Sequence, residues 1–413
     1  MKKFLAIALV TMLALTAFVG CGSDKGDTAA NDATYAGQGT AVDGDTIYLG
    51  VFEPTTGENG GGGLQEVLGA RYANTVAPTV DIDGKTYDIK LVEVDNQSDK
   101  TAAVTAAQSL INDNVVAVIG SYGSGVAIAA GQTFADAKVP AVGCSCTNPQ
   151  VTLGNDFYFR VCFLDPFQGT VVANYAIEEG YKTAAVIAQN GDDYSTGLAA
   201  YFKEAFTSLG GEVVSDQTYQ TNESDFNAIL TTIKQANPDV IFVPSSIATA
   251  PLVIQQARAL GIESVIMAGD TWENESIVQT AGADSEGIVF STFFDENDKD
   301  NPVANEFVPG FKDYLNSDPK NITSNGGTDG VAAVSALGYD SYMAIYNAIQ
   351  SLDGKGLEKI TSGDIRDALV DVSFDGVTGS ISFDENGDAN KTTAYIKTVK
   401  DGKITFLRTQ EAK

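Results

Sequence analysis

Several short stretches of this 413-residue chain combine hydroxyls, acids and glycines just past apolar runs. Ser121-Tyr122-Gly123-Ser124-Gly125 follows VVAVIG and opens a helical pattern. A helix N-terminus presents free N–H groups and the positive end of the helix dipole, so it holds anions such as a carboxylate. Ser124 is placed to add a hydroxyl. Cys144-Ser145-Cys146-Thr147-Asn148-Pro149 ends another apolar run and offers the Ser145 and Thr147 hydroxyls. Gly269-Asp270-Thr271-Trp272 sets an acid beside the only tryptophan, a combination that suits an ammonium group held at a cleft edge. Asp192-Asp193-Tyr194 adds acids and an aromatic at a helix start. All of these residues also suit ordinary capping and turn formation, so residue type alone leaves both readings open. The first stretch has no lysine after its glycines, which argues against a P-loop.

Composition removes whole classes of chemistry. There is no histidine, so Ser-His-Asp, Cys-His and HExxH machinery is excluded. A formal net charge of −29 argues against nucleic acid and against electrostatic docking on anionic lipid. Asp192, Asp193 and Asp270 could act as an acid/base set, as in glycoside hydrolysis, but no spacing fixes their separation. An enzyme is the less favoured reading, and neither a cofactor nor a metal is expected. Asp295-x-Asn297-x-Lys299 with Glu306 has EF-hand-like spacing, but Lys299 stands at a ligand position and Asp300 where glycine is needed. Cys144-Ser145-Cys146 lacks a second ligand pair. Buried free thiols and a disulfide from Cys162 to Cys144 or Cys146 both stay open.

The elements that must position these stretches alternate from end to end. TIYLGVF, YDIKLVEVD, VVAVIG and VPAVGC read as strands between helical patterns, and the rhythm restarts after Asp165-Pro166-Phe167-Gln168-Gly169. There Asp165, Pro166 and Gln168 have the spacing of a capping box. TAAVIAQ, DVIFVP and SVIMAG follow as further strands. This order predicts an α/β fold of two doubly wound parallel-sheet lobes, joined by a three-strand hinge. Lobe 1 is expected over 45–164 and 292–380, and lobe 2 over 165–291 and 381–413. The crossings are expected near Phe163–Asp165, Ser291–Phe294 and Gly379–Phe383. Ligands of open parallel sheets bind beyond the carboxyl ends of the strands. Two facing sheets would therefore line one cleft with Glu53–Gly63, Ser121–Gly125, Gly143–Pro149, Gln189–Gly197, Pro244–Thr249 and Gly269–Asn274.

The N-terminus predicts a location. Lys2 and Lys3 precede an apolar run from Phe4 to Gly20 that stops at Cys21, the pattern of a secretory signal. Phe18-Val19-Gly20-Cys21 resembles a lipobox, with Phe18 where leucine is usual. That resemblance implies cleavage and acylation at Cys21, and a membrane contact made through lipid only. Residues 22–44 hold almost no large apolar side chain and are expected to form a flexible tether.

In sequence, "GVFEPTTG", "VIGSYGSG", "VPAVGCSCTNP", "YFRVCFLDPFQG", "DYSTG", "QARALG" and "AGDTWEN" resemble the leucine/isoleucine/valine-binding protein family. That family has the type I periplasmic-binding-protein fold of amino-acid ABC transporters. The resemblance implies that Ser124 and Thr147 meet a ligand carboxylate and that the Ser145 carbonyl accepts from its ammonium. It further implies that Tyr194 closes over the ligand and that Asp270 pairs with the ammonium. Glycine in the 57–63 loop, where some relatives place an aromatic, and Ser246, where branched-chain binders have a tyrosine, are expected to widen the pocket or make it more polar. The implied protein is a monomeric lipoprotein that delivers an amino acid to an ABC permease. Alternatives are a binder of an amide or urea-type solute and a ligand-presenting sensor.

Overall fold

A computed structural model describes residues 34–413. Cys21 and the predicted signal lie outside these residues. In the first lobe β1 (Thr46–Glu53), α1 (Gly60–Val76), β2 (Thr79–Ile82), β3 (Lys85–Asp95), α2 (Lys100–Asn112), β4 (Ala117–Ile119), α3 (Ser124–Ala137), β5 (Ala141–Gly143) and β6 (Tyr158–Arg160) follow one another. Their sheet has the order β2-β3-β1-β4-β5-β6, parallel except for the β2–β3 pair. The strands that sit centrally are unbroken apolar text, as burial on both faces demands.

The second lobe opens with α4 (Asp165–Glu178) and continues through β7 (Thr183–Gln189), α5 (Asp193–Ser208), β8 (Glu212–Tyr219), α6 (Asn227–Ala236), β9 (Val240–Phe242), α7 (Ala250–Ala259), β10 (Val265–Ala268), α8 (Glu275–Ala281) and β11 (Val289–Thr292). The chain then returns for α9 (Pro302–Ser317), α10 (Pro319–Ser324), α11 (Ala333–Gln350) and α12 (Ser362–Val370), with α9, α10 and α11 packed on α1. A hairpin of β12 (Ser373–Gly376) and β13 (Gly379–Ser382) follows. Finally β14 (Ala394–Lys400) and β15 (Lys403–Gln410) add antiparallel to the second sheet, whose order is β15-β14-β11-β10-β9-β7-β8. The β-rich tail thus edges a sheet instead of forming a domain. No helix among the described residues is long and apolar enough to cross a membrane.

The third passage between lobes lies later than Gly379–Phe383. Arg160 holds the 384–389 turn to the first lobe: its N–H donates to the Gly387 carbonyl at 2.9 Å, and its guanidinium pairs with Asp388 at 2.5 Å. The passage therefore falls at 390–393. The first two passages pack together through Phe163 and Phe293, ring centroids 4.3 Å apart.

Residues 34–44 are not a free tether. The Tyr35 ring packs on Phe157 at 4.6 Å, its hydroxyl donates to Asp156 at 2.8 Å, and the Val42 N–H donates to the Ile360 carbonyl. One aromatic side chain anchors a stretch whose composition otherwise reads as linker. The capping box is also absent. The Asp165 carboxyl is buried beside the Thr147 hydroxyl and caps nothing, and the Gln168 amide reaches Asp270 at 2.8 Å and Ser291 at 2.9 Å.

Candidate functional site

Each sheet reverses its winding direction once. From β1 the chain moves outward to β3 and then crosses to β4; from β7 it moves to β8 and then crosses to β9. Loops leaving the two strands at such a switch point diverge and leave a crevice. The crevices of the two lobes meet at one small cavity lined by Asn59, Tyr122, Gly123, Ser145, Asp192, Tyr194, Ser246 and Thr271. The cleft is closed: the Ala248 N–H donates to the Glu58 carbonyl at 3.1 Å, the Ile247 N–H to Asn59 Oδ1 at 3.2 Å, and Lys100 pairs with Asp193 at 2.8 Å.

The first-lobe wall is built on two loops. After β4 the backbone turns at Gly120, with φ 119°, where a Cβ would stand 2.5 Å from Glu53 Oε1. Gly123 then leads into α3, whose first residue is Ser124. The Ser124 hydroxyl is buried and accepts from the Asn148 N–H at 3.1 Å, which ties this loop to the next. In that next loop the Ser145 hydroxyl donates to Glu66, and the residue lines the cavity. The Thr147 hydroxyl is fully buried and makes no well-formed hydrogen bond. Arg160 lies beneath, donating to the carbonyls of Cys146 and Asn148 at 2.7 Å each. The three cysteines of this region, Cys144, Cys146 and Cys162, are free and buried.

The second-lobe wall carries the charge. Asp270 follows β10 in a short 3-10 turn and is 2% exposed. Its Oδ1 accepts from Gln168 Nε2 at 2.8 Å and from the Tyr194 hydroxyl at 3.0 Å. Both bonds fall on one oxygen, and no cation meets the group among the described residues. Burial accordingly pushes the Asp270 carboxyl up to about 6, against the pull of those hydrogen bonds. Tyr194 comes from the first turn of α5. Ser246 lines the cavity and also accepts from the Thr249 N–H at the start of α7.

Of the residues expected from sequence, Ser145, Tyr194 and Ser246 line the cavity; Ser124, Thr147 and Asp270 do not, and Asp270 reaches its lining through the Tyr194 hydroxyl. Trp272 is not a cleft-edge aromatic. It is fully buried, and its indole N–H donates to the Ser245 hydroxyl at 3.1 Å. The glycine run does not widen the pocket either. Gly60–Gly63 form the first turn of α1, and a Cβ on Gly62 would lie 2.3 Å from the Tyr122 ring, which fills that space.

Glu58, Asn59 and Thr271 lay within loops expected to line the cleft but were given no ligand role, and Asp192 was weighed there as an acid or a cap. Asp192 does cap α5, accepting from the Ser195 N–H, and it faces the cleft as well. Burial and the nearby charge of Glu58 push it up to about 6, and burial raises Glu58 too. These acids approach from opposite lobes. Their positions directly after β1 and β7, the strands at the switch points, were the available signal.

Two lobes closing on a polar cavity make a clamshell for a small solute. The chain matches the periplasmic binding protein family over residues 46–403 and belongs to it. Among solved structures it is similar to a leucine-binding protein, LivK, of Thermotoga maritima. That similarity is 33% identity with a TM-score of 0.79, over 88% of this chain and 99% of that one. It is also similar to LivJ of Streptococcus pneumoniae, a branched-chain amino acid transporter substrate-binding protein solved in complex with isoleucine: 31% identity, TM-score 0.77, over 89% and 99%. Leu/Ile/Val-binding protein homolog 1 of Brucella melitensis is 27% identical over 374 residues, 88% of this chain and 93% of that protein. The fold is the type I periplasmic-binding-protein fold. The family comprises extracytoplasmic solute-binding proteins of ABC transporters, which work with membrane permeases and are not enzymes.

Proposed function

We propose that this protein is a lipid-anchored receptor that captures an amino acid by closing its lobes and delivers it to an ABC permease. The carrying observation is the opposition of two walls. One carries Ser124 at the start of α3 with the Thr147 loop beside it, and the other carries Asp270, whose side-chain hydrogen bonds from Gln168 and Tyr194 both fall on Oδ1. The α-carboxylate belongs at the first wall, where charge-assisted hydrogen bonds contribute about 1.5–3 kcal/mol each. The ammonium belongs at Asp270. In this reading Cys21 carries the acyl anchor, and the protein is a monomer with no cofactor.

The far end of the cleft, between Glu58 and Asp192, disfavours a purely aliphatic side chain. Closure brings these two desolvated acids towards each other, and a ligand end that donates hydrogen bonds or carries positive charge relieves that repulsion only in the closed form. Mass spectrometry of the solute that copurifies with native protein, followed by calorimetry with the common amino acids, tests the reading. A zwitterionic amino acid with a polar or basic side chain is expected. Tightest binding by leucine or valine would remove the role given to Glu58 and Asp192. Exclusive binding of an uncharged amide would remove the role given to Asp270.

A further inference from the structure

Behind the first-lobe wall lie two carboxyls for which ligand capture has no use. Glu53 ends β1 and Glu66 sits in α1, and both are 0% exposed. Each spends one oxygen on a ligand loop. Glu53 Oε2 accepts from the Tyr122 N–H at 2.6 Å, and Glu66 Oε1 accepts from the Ser145 hydroxyl. The remaining oxygens, Glu53 Oε1 and Glu66 Oε2, are buried without a well-formed hydrogen bond. A carboxyl oxygen of each residue and the Cys144 sulfur lie within 4.8 Å of one another.

The titratable groups around the pair are Cys144 and Cys146 from the loop after β5, Tyr122 from the loop after β4, and Tyr158 from β6. None of these carries positive charge. Arg160 reaches Cys146, but its donors are spent on Asp388, Thr152 and the loop carbonyls. Two ionised carboxylates so close and so dry would repel strongly and leave two acceptors unsatisfied. One proton placed between them satisfies both orphan oxygens. Burial, against the pull of hydrogen bonds from Glu66 and the Tyr122 N–H, raises Glu53, and burial plus the Glu53 charge holds Glu66 well above the usual carboxylate range.

We propose that Glu53 and Glu66 share one proton, and that this O–H···O bond ties the loop bearing Tyr122 to the loop bearing Ser145, so that the pair positions the first-lobe half of the ligand site. Glu66 is the donor of the shared bond and Glu53 its acceptor. When the proton leaves, the two charges separate and the loops they hold come apart. The effect on ligand rests on the proposed amino-acid site; the shared proton does not.

Infrared spectroscopy of the ligand-free protein tests the proton directly. The wild type at pH 7 should show a neutral carboxylic-acid band that shifts in Glu66→Gln and in Glu53→Gln, and that fades in the wild type only well above the usual carboxylate range. An unchanged band in both variants overturns the proposal. So does a metal ion retained at one equivalent by the wild type and lost from Glu66→Gln, because Glu53, Glu66 and Cys144 would then be ligands. Hydrogen exchange at the Tyr122 amide tests the positioning. Relative to Glu66→Gln, whose side-chain amide keeps both the donor to Glu53 and the acceptor for Ser145, the wild type should lose protection over the pH range in which that band fades. Superimposable profiles overturn it. In a calorimetric panel of the common amino acids, the tightest ligand should lose about tenfold more affinity in the wild type than in Glu66→Gln over the same range. Equal losses overturn the link to ligand. Binding by no amino acid would overturn the ligand reading, while the infrared result judges the shared proton by itself.

Discussion

Two stretches of the same wall rest on opposite supports. The 146–149 loop is held from below by Arg160, a fully buried cation paired with Asp388 and donating to the carbonyls of Cys146, Asn148 and Pro149. The Tyr122 N–H and the Ser145 hydroxyl are held instead by two acids that have oxygens to spare. The cation carries permanent charge and its partners are in place, so its grip is constant across ordinary pH. The acid pair is sound only while a proton remains. One wall therefore combines a fixed anchor with an adjustable one, a few residues apart.

The strongest way to break this comparison is to remove the fixed anchor. Arg160→Met leaves Asp388 buried beside lost charge and strips the donors from the loop carbonyls. Removing one partner of a buried pair typically costs about 3–5 kcal/mol. Urea denaturation should show a loss of that size, whereas Glu66→Gln, which keeps the shape and the hydrogen bonds of the acid pair, should cost less than about 1.5 kcal/mol. A larger cost for Glu66→Gln would reverse the roles assigned to the two supports.

Next in size is the opposite wall. Asp270→Asn keeps the acceptor for Gln168 and Tyr194 but removes the charge. An amino-acid ligand should weaken by more than about 2 kcal/mol, because its desolvated ammonium loses its counter-charge. An uncharged ligand should weaken much less. Equal affinity of variant and wild type for the copurified amino acid would leave Asp270 as a structural residue only.

The dependence of apo stability on pH sharpens the comparison further. Asp270 and Asp192 are pushed up to about 6 and Glu53 to about 8, all first of all by burial. Each sits above its unfolded value near 4, so the folded state holds these protons more tightly. That contribution is complete below the unfolded value and is lost as pH rises through the folded one. The thermal midpoint should fall between pH 5 and 9 in two stages. The later stage should vanish in Glu53→Gln, which removes that carboxyl, whereas Arg160→Met should lower the curve on both sides of that stage and leave the stage in place.

Much of this architecture could be read from the chain. Runs such as VVAVIG and VIFV can only be strands covered on both faces, and the loops after them do meet at one cavity. What could not be read were the approaches between distant segments. Nothing in Gly60–Gly63 announces that the Tyr122 ring occupies the space above Gly62. Asp165 and Gln168 have capping-box spacing, but tertiary contacts with Thr147 and Asp270 claim their side chains. The pairing of Glu53 with Glu66 had no signal, because a sequence does not show that a strand end and a helix turn enclose them together. Trp272 next to Asp270 suggested a shared ligand edge, yet the turn sends the acid towards the cleft and the indole into the core.

The smallest expected effect separates two hydroxyls on the fixed side of the wall. Ser124 and Thr147 were both assigned to the ligand carboxylate, yet the folded protein uses them differently. The Ser124 hydroxyl already accepts from the Asn148 N–H, so Ser124→Ala leaves a buried donor unsatisfied and should cost the apo protein about 1–3 kcal/mol. The Thr147 hydroxyl is buried without a well-formed bond, so Thr147→Val removes a polar group whose polar neighbour before ligand arrives is the Asp165 carboxyl. Its apo stability should stay within about 0.5 kcal/mol of wild type or rise slightly, and its ligand affinity should fall by about 1.5–3 kcal/mol through the lost charge-assisted bond. Thermal unfolding with and without ligand measures both quantities on one sample. If Thr147→Val destabilises the apo protein as much as Ser124→Ala does, the Thr147 hydroxyl is bonded to Asp165 in solution, and the carboxylate is held by Ser124 and the helix start without it.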